Sequence, residues 1–203
     1  MTVIVDYGVG NLFSLLSSFA AIGEQAKVSS DKAEIECADR IVLPGVGAFS
    51  DAAAKLRQTG LDNAVVSAAK NGTPLLGICL GMQLLFDESH EYGVHKGLGL
   101  IRGKVTPIDD MGVLKIPHIG WNALKIKDSP IFRYINDGDY VYFVHSFAAT
   151  DCDGVIATTE YGNSITAAVG VKNVYGCQFH PEKSGEVGLK ILKAFSELKK
   201  EQK

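Results

Sequence analysis

Hydrophobic and polar positions follow two different rhythms in the two halves of this chain. In the first half, short apolar runs bounded by Gly and Pro alternate with amphipathic stretches, the pattern of parallel strands and covering helices. Thr2 to Asp6 reads as a buried strand, after which Leu12, Leu15, Leu16, Phe19 and Ile22 keep helical spacing until Gly23 ends the helix. Arg40 to Leu43 predicts a second strand. The run from Phe49 to Lys70 is helical in composition with a break at Gly60, and Thr73 to Ile78 is again strand-like, with a turn at Cys79.

From Lys104 to Phe179 the rhythm changes to strand-like runs separated by turn residues: Tyr140 to Phe147, Val155 to Glu160, Ile165 to Val169 and Val174 to Phe179. Ser184 is placed to cap a last helix whose Val187, Leu189, Ile191, Leu192, Phe195 and Leu198 pack on the sheet. These elements predict an α/β fold, a three-layer α/β/α sandwich with a mixed, largely parallel central sheet. With no internal repeat or linker, residues 1–203 are expected to form a single domain.

Composition narrows the function. At 46% hydrophobic and 21% charged residues the chain is an ordinary globular one, and a net charge of -3 offers no broad positive field for nucleic acid. No basic leader precedes the apolar start and no apolar run approaches the ~20 residues that span a bilayer, so a cytoplasmic protein without membrane contact is expected. Cys37, Cys79, Cys152 and Cys177 are scattered, with neither CxxC nor zinc-site spacing. No metal or cofactor is implied, and Cys37, Cys152 and Cys177 are expected to be small buried or half-buried side chains.

Cys79 has a different setting. Gly77-Ile78-Cys79-Leu80-Gly81 follows a strand and precedes an apolar helical run, the arrangement of a nucleophile elbow with cysteine in the serine position. Flanking glycines permit a sharp turn, and a helix starting after Cys79 would bring a positive dipole end to its sulfur. On its own the pattern fits a buried cysteine in a Gly-rich turn equally well. A cysteine nucleophile also needs a histidine to move its proton and a third group to orient that histidine. His180 and Glu182 fit: Pro181 disfavours helix at His180, which predicts an extended segment with both side chains on one side. The competing reading is a surface turn before the last helix. The backbone N–H of Leu80 is the expected first oxyanion donor, with a second from the Pro44-Gly45-Val46-Gly47 turn, specifically Val46 and Gly47. Neither Gly8-Val9-Gly10 nor Gly45-Val46-Gly47 completes a GxGxxG, which leaves a nucleotide-binding reading weak.

Taken together, GlyIleCysLeuGlyMetGln at 77 to 83 and PheHisProGlu at 179 to 182 resemble the class I glutamine amidotransferases. AspTyrGlyValGlyAsn at 6 to 11, ProGlyValGlyAlaPhe at 44 to 49, HisIleGlyTrpAsn at 118 to 122, TyrPheValHisSerPhe at 142 to 147 and Met82 resemble, within that family, the glutaminase subunits of imidazole glycerol phosphate synthases of histidine biosynthesis. The resemblance implies catalytic roles for Cys79, His180 and Glu182 in glutamine hydrolysis. It implies that Gln83 and Glu91 hold the substrate's amino-acid end, and that His145, Ser146 and Phe147 line its pocket through their backbone; position 147 is often Tyr in relatives. It further implies delivery of ammonia to a (β/α)8 cyclase subunit in a heterodimer, with Asn11, Trp121, Tyr142 and Lys183 at or near the interface. There the phosphoribulosyl substrate PRFAR would yield imidazole glycerol phosphate and an aminoimidazole carboxamide ribotide. Alternatives are the glutaminase subunit of another class I enzyme, a cysteine-variant α/β hydrolase, or a catalytically silent binding module; a core position is the competing reading for Trp121.

Overall fold

The computed structural model describes residues 1–200. Five parallel strands form one side of the main sheet: β1 (Thr2–Val5), β2 (Ala26–Ser29), β3 (Arg40–Leu43), β4 (Leu75–Ile78) and, far along the chain, β14 (Val174–Cys177). Between them run α1 (Leu12–Ala21), α2 (Lys32–Glu36), α3 (Phe49–Thr59), α4 (Leu61–Lys70) and a single turn, α5 (Leu80–Gln83). The second half supplies the short strands β5 (Glu88–Ser89) and β6 (His95–Lys96), then β7 (Lys104–Pro107), β8 (His118–Ala123), β9 (Lys125–Ile126), β10 (Tyr140–His145), β11 (Phe147–Thr150), β12 (Val155–Tyr161) and β13 (Asn163–Val171), and α6 (Gly185–Ser196) closes the fold. The eight-stranded sheet has the order β2-β1-β3-β4-β14-β13-β12-β9, with β13, β12 and β9 joined antiparallel. A four-stranded sheet, β11-β7-β5-β6, and the ribbon β8-β10 lie beside it.

Alternation along the buried strands builds the three layers. Val3 and Val5 of β1 pack with Ile35, Phe49, Leu56, Leu61 and Val65 of α2, α3 and α4, whereas Ile4 packs on the opposite face with Leu15 and Phe19 of α1 and Ile191, Leu192 and Phe195 of α6. Each fully buried Phe or Leu contributes about 1.5–3 kcal/mol by leaving water. Gly60 breaks the long helical run where the sequence predicts, because at φ 68° it takes the left-handed conformation that ends α3 and starts α4.

Several expectations are corrected. The run Tyr140 to Phe147 is two strands: the chain changes partner at Ser146, leaving the pairing of β10 with β8 for that of β11 with β7. Cys37 is exposed, since it lies just past the end of the short amphipathic α2, away from its buried Ile35. Ser184 stands before α6 but does not cap it; its hydroxyl donates to the His180 carbonyl at 2.6 Å and accepts from the Tyr142 N–H at 3.0 Å. The last helix is instead seated by contact. A Cβ at Gly188 would lie 1.8 Å from the Pro181 carbonyl oxygen, so this face of α6 touches the backbone of the 180–183 segment directly.

Ala is intrinsically the better helix former by ~1 kcal/mol, yet the clash of Gly188→Ala with backbone that cannot swing aside costs about 1–3 kcal/mol or more. Gly188→Ala should therefore lower the melting temperature by several degrees in calorimetry. An unchanged or raised melting temperature would show that α6 is not seated in this way.

Candidate active site

The last residue of β4 delivers the chain into a strained turn at Cys79, whose φ of 54° and ψ of -112° are rare for a residue with a side chain. Close packing holds it there. The Cys79 N–H donates to the Cys177 carbonyl at 2.7 Å; a Cβ at Gly77 would fall 2.6 Å from the Gly81 oxygen, and one at Gly81 only 1.9 Å from the Leu43 oxygen. The sharp turn is thus made by Cys79 itself, and the flanking glycines let three backbone segments approach one another. The helix after Cys79 is a single turn, Leu80–Gln83, so any dipole it presents to the sulfur is that of one turn rather than of a long helix.

His180 and Glu182 arrive from the end of β14. His180 is extended (φ -99°, ψ 97°), but Pro181–Lys183 forms a 3-10 turn rather than the extended run expected, because Pro181 occupies the first helical position. That turn folds the Glu182 carboxylate back onto the ring, with His180 Nδ1 2.8 Å from Glu182 Oε1 and both side chains 2% exposed. Nδ1 therefore carries its proton toward the carboxylate, and Nε2 is the nitrogen free for chemistry; it is buried and makes no other hydrogen bond. Burial alone would lower the His180 pKa, but the neighbouring Cys79 sulfur and the Glu182 carboxylate outweigh it and raise the ring to about 9. The constellation can hold an imidazolium beside a cysteine sulfur.

A cavity of about 340 Å³ opens at Cys79 and His180, and nearly all the other expected pocket residues reach it: Val46, Gly47, Leu80, Gln83, Glu91, His145, Ser146 and Phe147. Glu182 stands behind His180. Both hydrogen bonds of the Gln83 carboxamide use its Nε2, which donates to the Phe147 carbonyl at 3.1 Å and to Gln178 Oε1 at 2.9 Å. Glu91 Oε2 accepts from the Phe49 N–H at 2.7 Å, tying the cavity rim to the start of α3. The loop before α3 packs straight onto the elbow: a Cβ at Gly45 would sit 2.7 Å from the Gly81 nitrogen, and the Tyr7 hydroxyl donates to the Pro44 carbonyl at 2.7 Å. Beyond that anchor, Val46 and Gly47 are exposed, and Gly47 has φ 93° with no neighbour near its Cβ position. Neither amide is hydrogen-bonded within the described residues.

The four expected interface residues lie at or near this end of the sheet. Asn11 caps α1, its side chain accepting from the Ser14 N–H; Lys183 is exposed beside Glu182; Trp121 and Tyr142 are cross-strand partners with rings edge-on at 6.0 Å. Trp121 is 52% exposed, which excludes the core reading.

Some site residues were not singled out from the sequence. Gln178 is fully buried and directs its Nε2 at the Cys79 sulfur, 3.7 Å away. The Phe147 carbonyl can only accept, so Gln83 Nε2 must face it, the same nitrogen must donate to Gln178 Oε1, and the Gln178 N–H groups are left facing the sulfur. Tyr92, 90% exposed at the rim with its ring edge toward Phe147, and Pro117 were also missed. Their adjacency to the motifs was the available signal for Gln178 and Tyr92. Among the described residues, no group of three or more His, Cys, Asp or Glu is arranged to hold a metal, and no helix is long and apolar enough to cross a membrane.

The chain matches known proteins in sequence and in fold. The family model described as glutamine amidotransferase class-I matches residues 3–197. A relative from Lactococcus lactis subsp. lactis (strain IL1403), imidazole glycerol phosphate synthase subunit HisH, is 51% identical over 199 residues, covering 96% of this chain and 97% of its own. The protein of the same name from Caldanaerobacter subterraneus subsp. tengcongensis is 49% identical over 201 residues, with 98% of each chain covered. Two solved structures share the fold at 20% identity: one described as a glutamine amidotransferase (TM-score 0.74, covering 96% of this chain and 98% of the other) and PurLQS from Thermotoga maritima (TM-score 0.75, covering 96% of each chain). By its sequence over nearly its whole length, the chain belongs to the class I glutamine amidotransferases.

Proposed function

We propose that this chain is the glutaminase subunit of an imidazole glycerol phosphate synthase, acting in histidine biosynthesis, and that residues 1–203 work as one domain. The Cys79 sulfur attacks the side-chain amide carbon of glutamine, and His180 gives its Nε2 proton to the departing nitrogen so that ammonia leaves. The neutral ring then takes a proton from the water that hydrolyses the glutamyl thioester, releasing glutamate and restoring the starting pair. Glu182 keeps Nδ1–H oriented and stabilises the cation. The observation that carries this reading is the buried His180–Glu182 pair at 2.8 Å with Nε2 left open beside a strained cysteine.

Gln83 spends its N–H groups on Phe147 and Gln178, so its Oε1 is the atom available to the substrate's ammonium, with the Glu91 carboxylate on the same cavity. The roles assigned to His145, Ser146 and Phe147 are through backbone, so Phe in place of the more usual Tyr leaves binding intact. Ammonia passes to a (β/α)8 cyclase subunit, which converts PRFAR to imidazole glycerol phosphate and the aminoimidazole carboxamide ribotide. Asn11, the Trp121–Tyr142 pair and Lys183 face that partner. Leu80 N–H, the first of α5 and so without a partner inside the helix, is one oxyanion donor. The loop at Val46 and Gly47 supplies the second when the partner turns it.

Glutamate release from glutamine should be slow for this chain alone and strongly stimulated by the cyclase subunit with its ligand, and it should vanish in Cys79→Ala. Equal, negligible release in every condition would sink the assignment. Gly47→Pro removes an N–H and cannot hold φ near 93°, so partner-stimulated turnover should fall roughly 100- to 1000-fold, the usual effect of one oxyanion donor. Unchanged stimulated turnover would place the second donor elsewhere.

Because His180 stays protonated up to pH about 9, its ring should titrate near that pH by imidazole NMR, and Glu182→Gln, which removes one of the charges that raise it, should bring the titration down toward the ordinary histidine value of 6.5. A ring that already titrates near 6.5 with Glu182 in place would show that the carboxylate does not hold the cation in this way.

A further inference from the structure

Two buried histidines behind the pocket form a chain of hydrogen bonds whose protons do not add up for two neutral rings. At one end, Asn122 Nδ2 donates to the Glu160 carbonyl at 3.0 Å, which turns Asn122 Oδ1 toward His118 Nε2 at 2.9 Å. An amide oxygen only accepts, so His118 carries its proton on Nε2. At the other end, His145 Nδ1 is 2.8 Å from the Phe147 carbonyl, so His145 carries its proton on Nδ1. The remaining nitrogens, His118 Nδ1 and His145 Nε2, then face each other at 3.0 Å as two lone pairs. Closing all four links takes one proton more than two neutral imidazoles hold; with both neutral, one link must open.

The surroundings keep the rings in register. His118 is stacked between Phe143 and Tyr161, with ring centroids 4.9 and 4.0 Å away, and is fully buried. The titratable groups facing the pair are Tyr161, whose hydroxyl donates to the Lys115 carbonyl at 2.7 Å, and His180, which acts on His145 as a neighbouring positive charge. Within the described residues neither ring is paired with a carboxylate. Burial holds His118 below its usual value and, with lesser repulsion from His118 and His180, takes His145 down to about 4. The unmade link between the rings pulls the other way, toward proton uptake.

The far end of this chain is the pocket wall. Phe147 O also receives the Gln83 Nε2 donor, and His145, Ser146 and Phe147 line the cavity. We propose that His118, outside the pocket, is a positioning residue for glutamine: through His145 it fixes the 145–147 wall, fully so only when the two rings share one extra proton. The inference rests on the glutaminase reading for its ligand, but the proton count does not.

Glutamine affinity is measured by calorimetry in a Cys79→Ala background, which removes the reacting sulfur, from pH 4 to 8. Binding should tighten about three- to tenfold toward the acid end, the worth of one hydrogen bond. His118→Phe keeps the stacking but has no ring nitrogen, so its affinity should be weaker and lose that pH dependence. His118→Asn places an amide near the Nδ1 position and donates to His145 without an extra proton, so it should bind tightly across the range. The same pH dependence in His118→Phe as in the parent overturns the proposal. Imidazole nitrogen NMR, which needs no ligand, should show both rings taking up one proton as a pair between pH about 4 and 6.5; two independent neutral rings throughout also overturn it. Absence of glutamine binding at every pH, with the NMR titration intact, would count against the glutaminase reading and leave the shared proton standing.

Discussion

The site depends on backbone touching backbone. Leu43 O against Gly81, Gly81 against Gly77 and Gly45 against the Gly81 nitrogen are contacts that a single methyl group would break, and together they clamp β3, β4 and the start of α5 into one knot. A non-glycine residue at φ 54° is held at a cost of order 1–3 kcal/mol, so it persists only where the surroundings leave no alternative. The parallel strands on either side of β4 provide that surrounding: β14 presents the Cys177 carbonyl to the Cys79 N–H and, three residues later, the chain presents the histidine. Cys79 and His180 are neighbours because their strands are neighbours.

Much of this was legible from local pattern. Arg40 to Leu43 and the break at Gly60 follow directly from apolar runs and glycine, and the elbow and His-Pro-Glu segments are recognisable by composition. What escaped depends on register between distant strands. Gln178 matters because β14 pairs with β4 so that its carboxamide meets Cys79, and His118 matters because β8 pairs with β10 to set it opposite His145. No local periodicity encodes either pairing. The same limit explains the errors at Ser146, where partner exchange ends one strand and starts another, and at Ser184, whose hydroxyl serves the His180 carbonyl rather than the helix it precedes.

The two sides of the site differ in how firmly they are held. Cys79, His180, Glu182, Gln83 and Gln178 are buried or nearly so and bonded to one another or to backbone, whereas Val46 and Gly47 stand exposed beyond the Pro44 anchor. On the proposed reading, in which Cys79 is the nucleophile and Val46–Gly47 the oxyanion loop, a firmly held side and an exposed side suit the pocket to control from outside, with one peptide orientation left to the partner to set.

The charge state of His180 also bears on which bond such a site breaks. An amide nitrogen is a poor leaving group until it is protonated, so the step that limits amide cleavage is helped most by an acid already in place. An ester oxygen leaves with far less assistance, and a site for esters gains little from a ring held as imidazolium to pH about 9. The Glu182 carboxylate, 2.8 Å from Nδ1 and shielded from water, stabilises that cation at the same time as it fixes the tautomer. On the proposed reading the His180–Glu182 pair adds a proton supply to nitrogen as well as a cation beside the sulfur, and the first of these favours the amide reading of this cysteine site over the ester one.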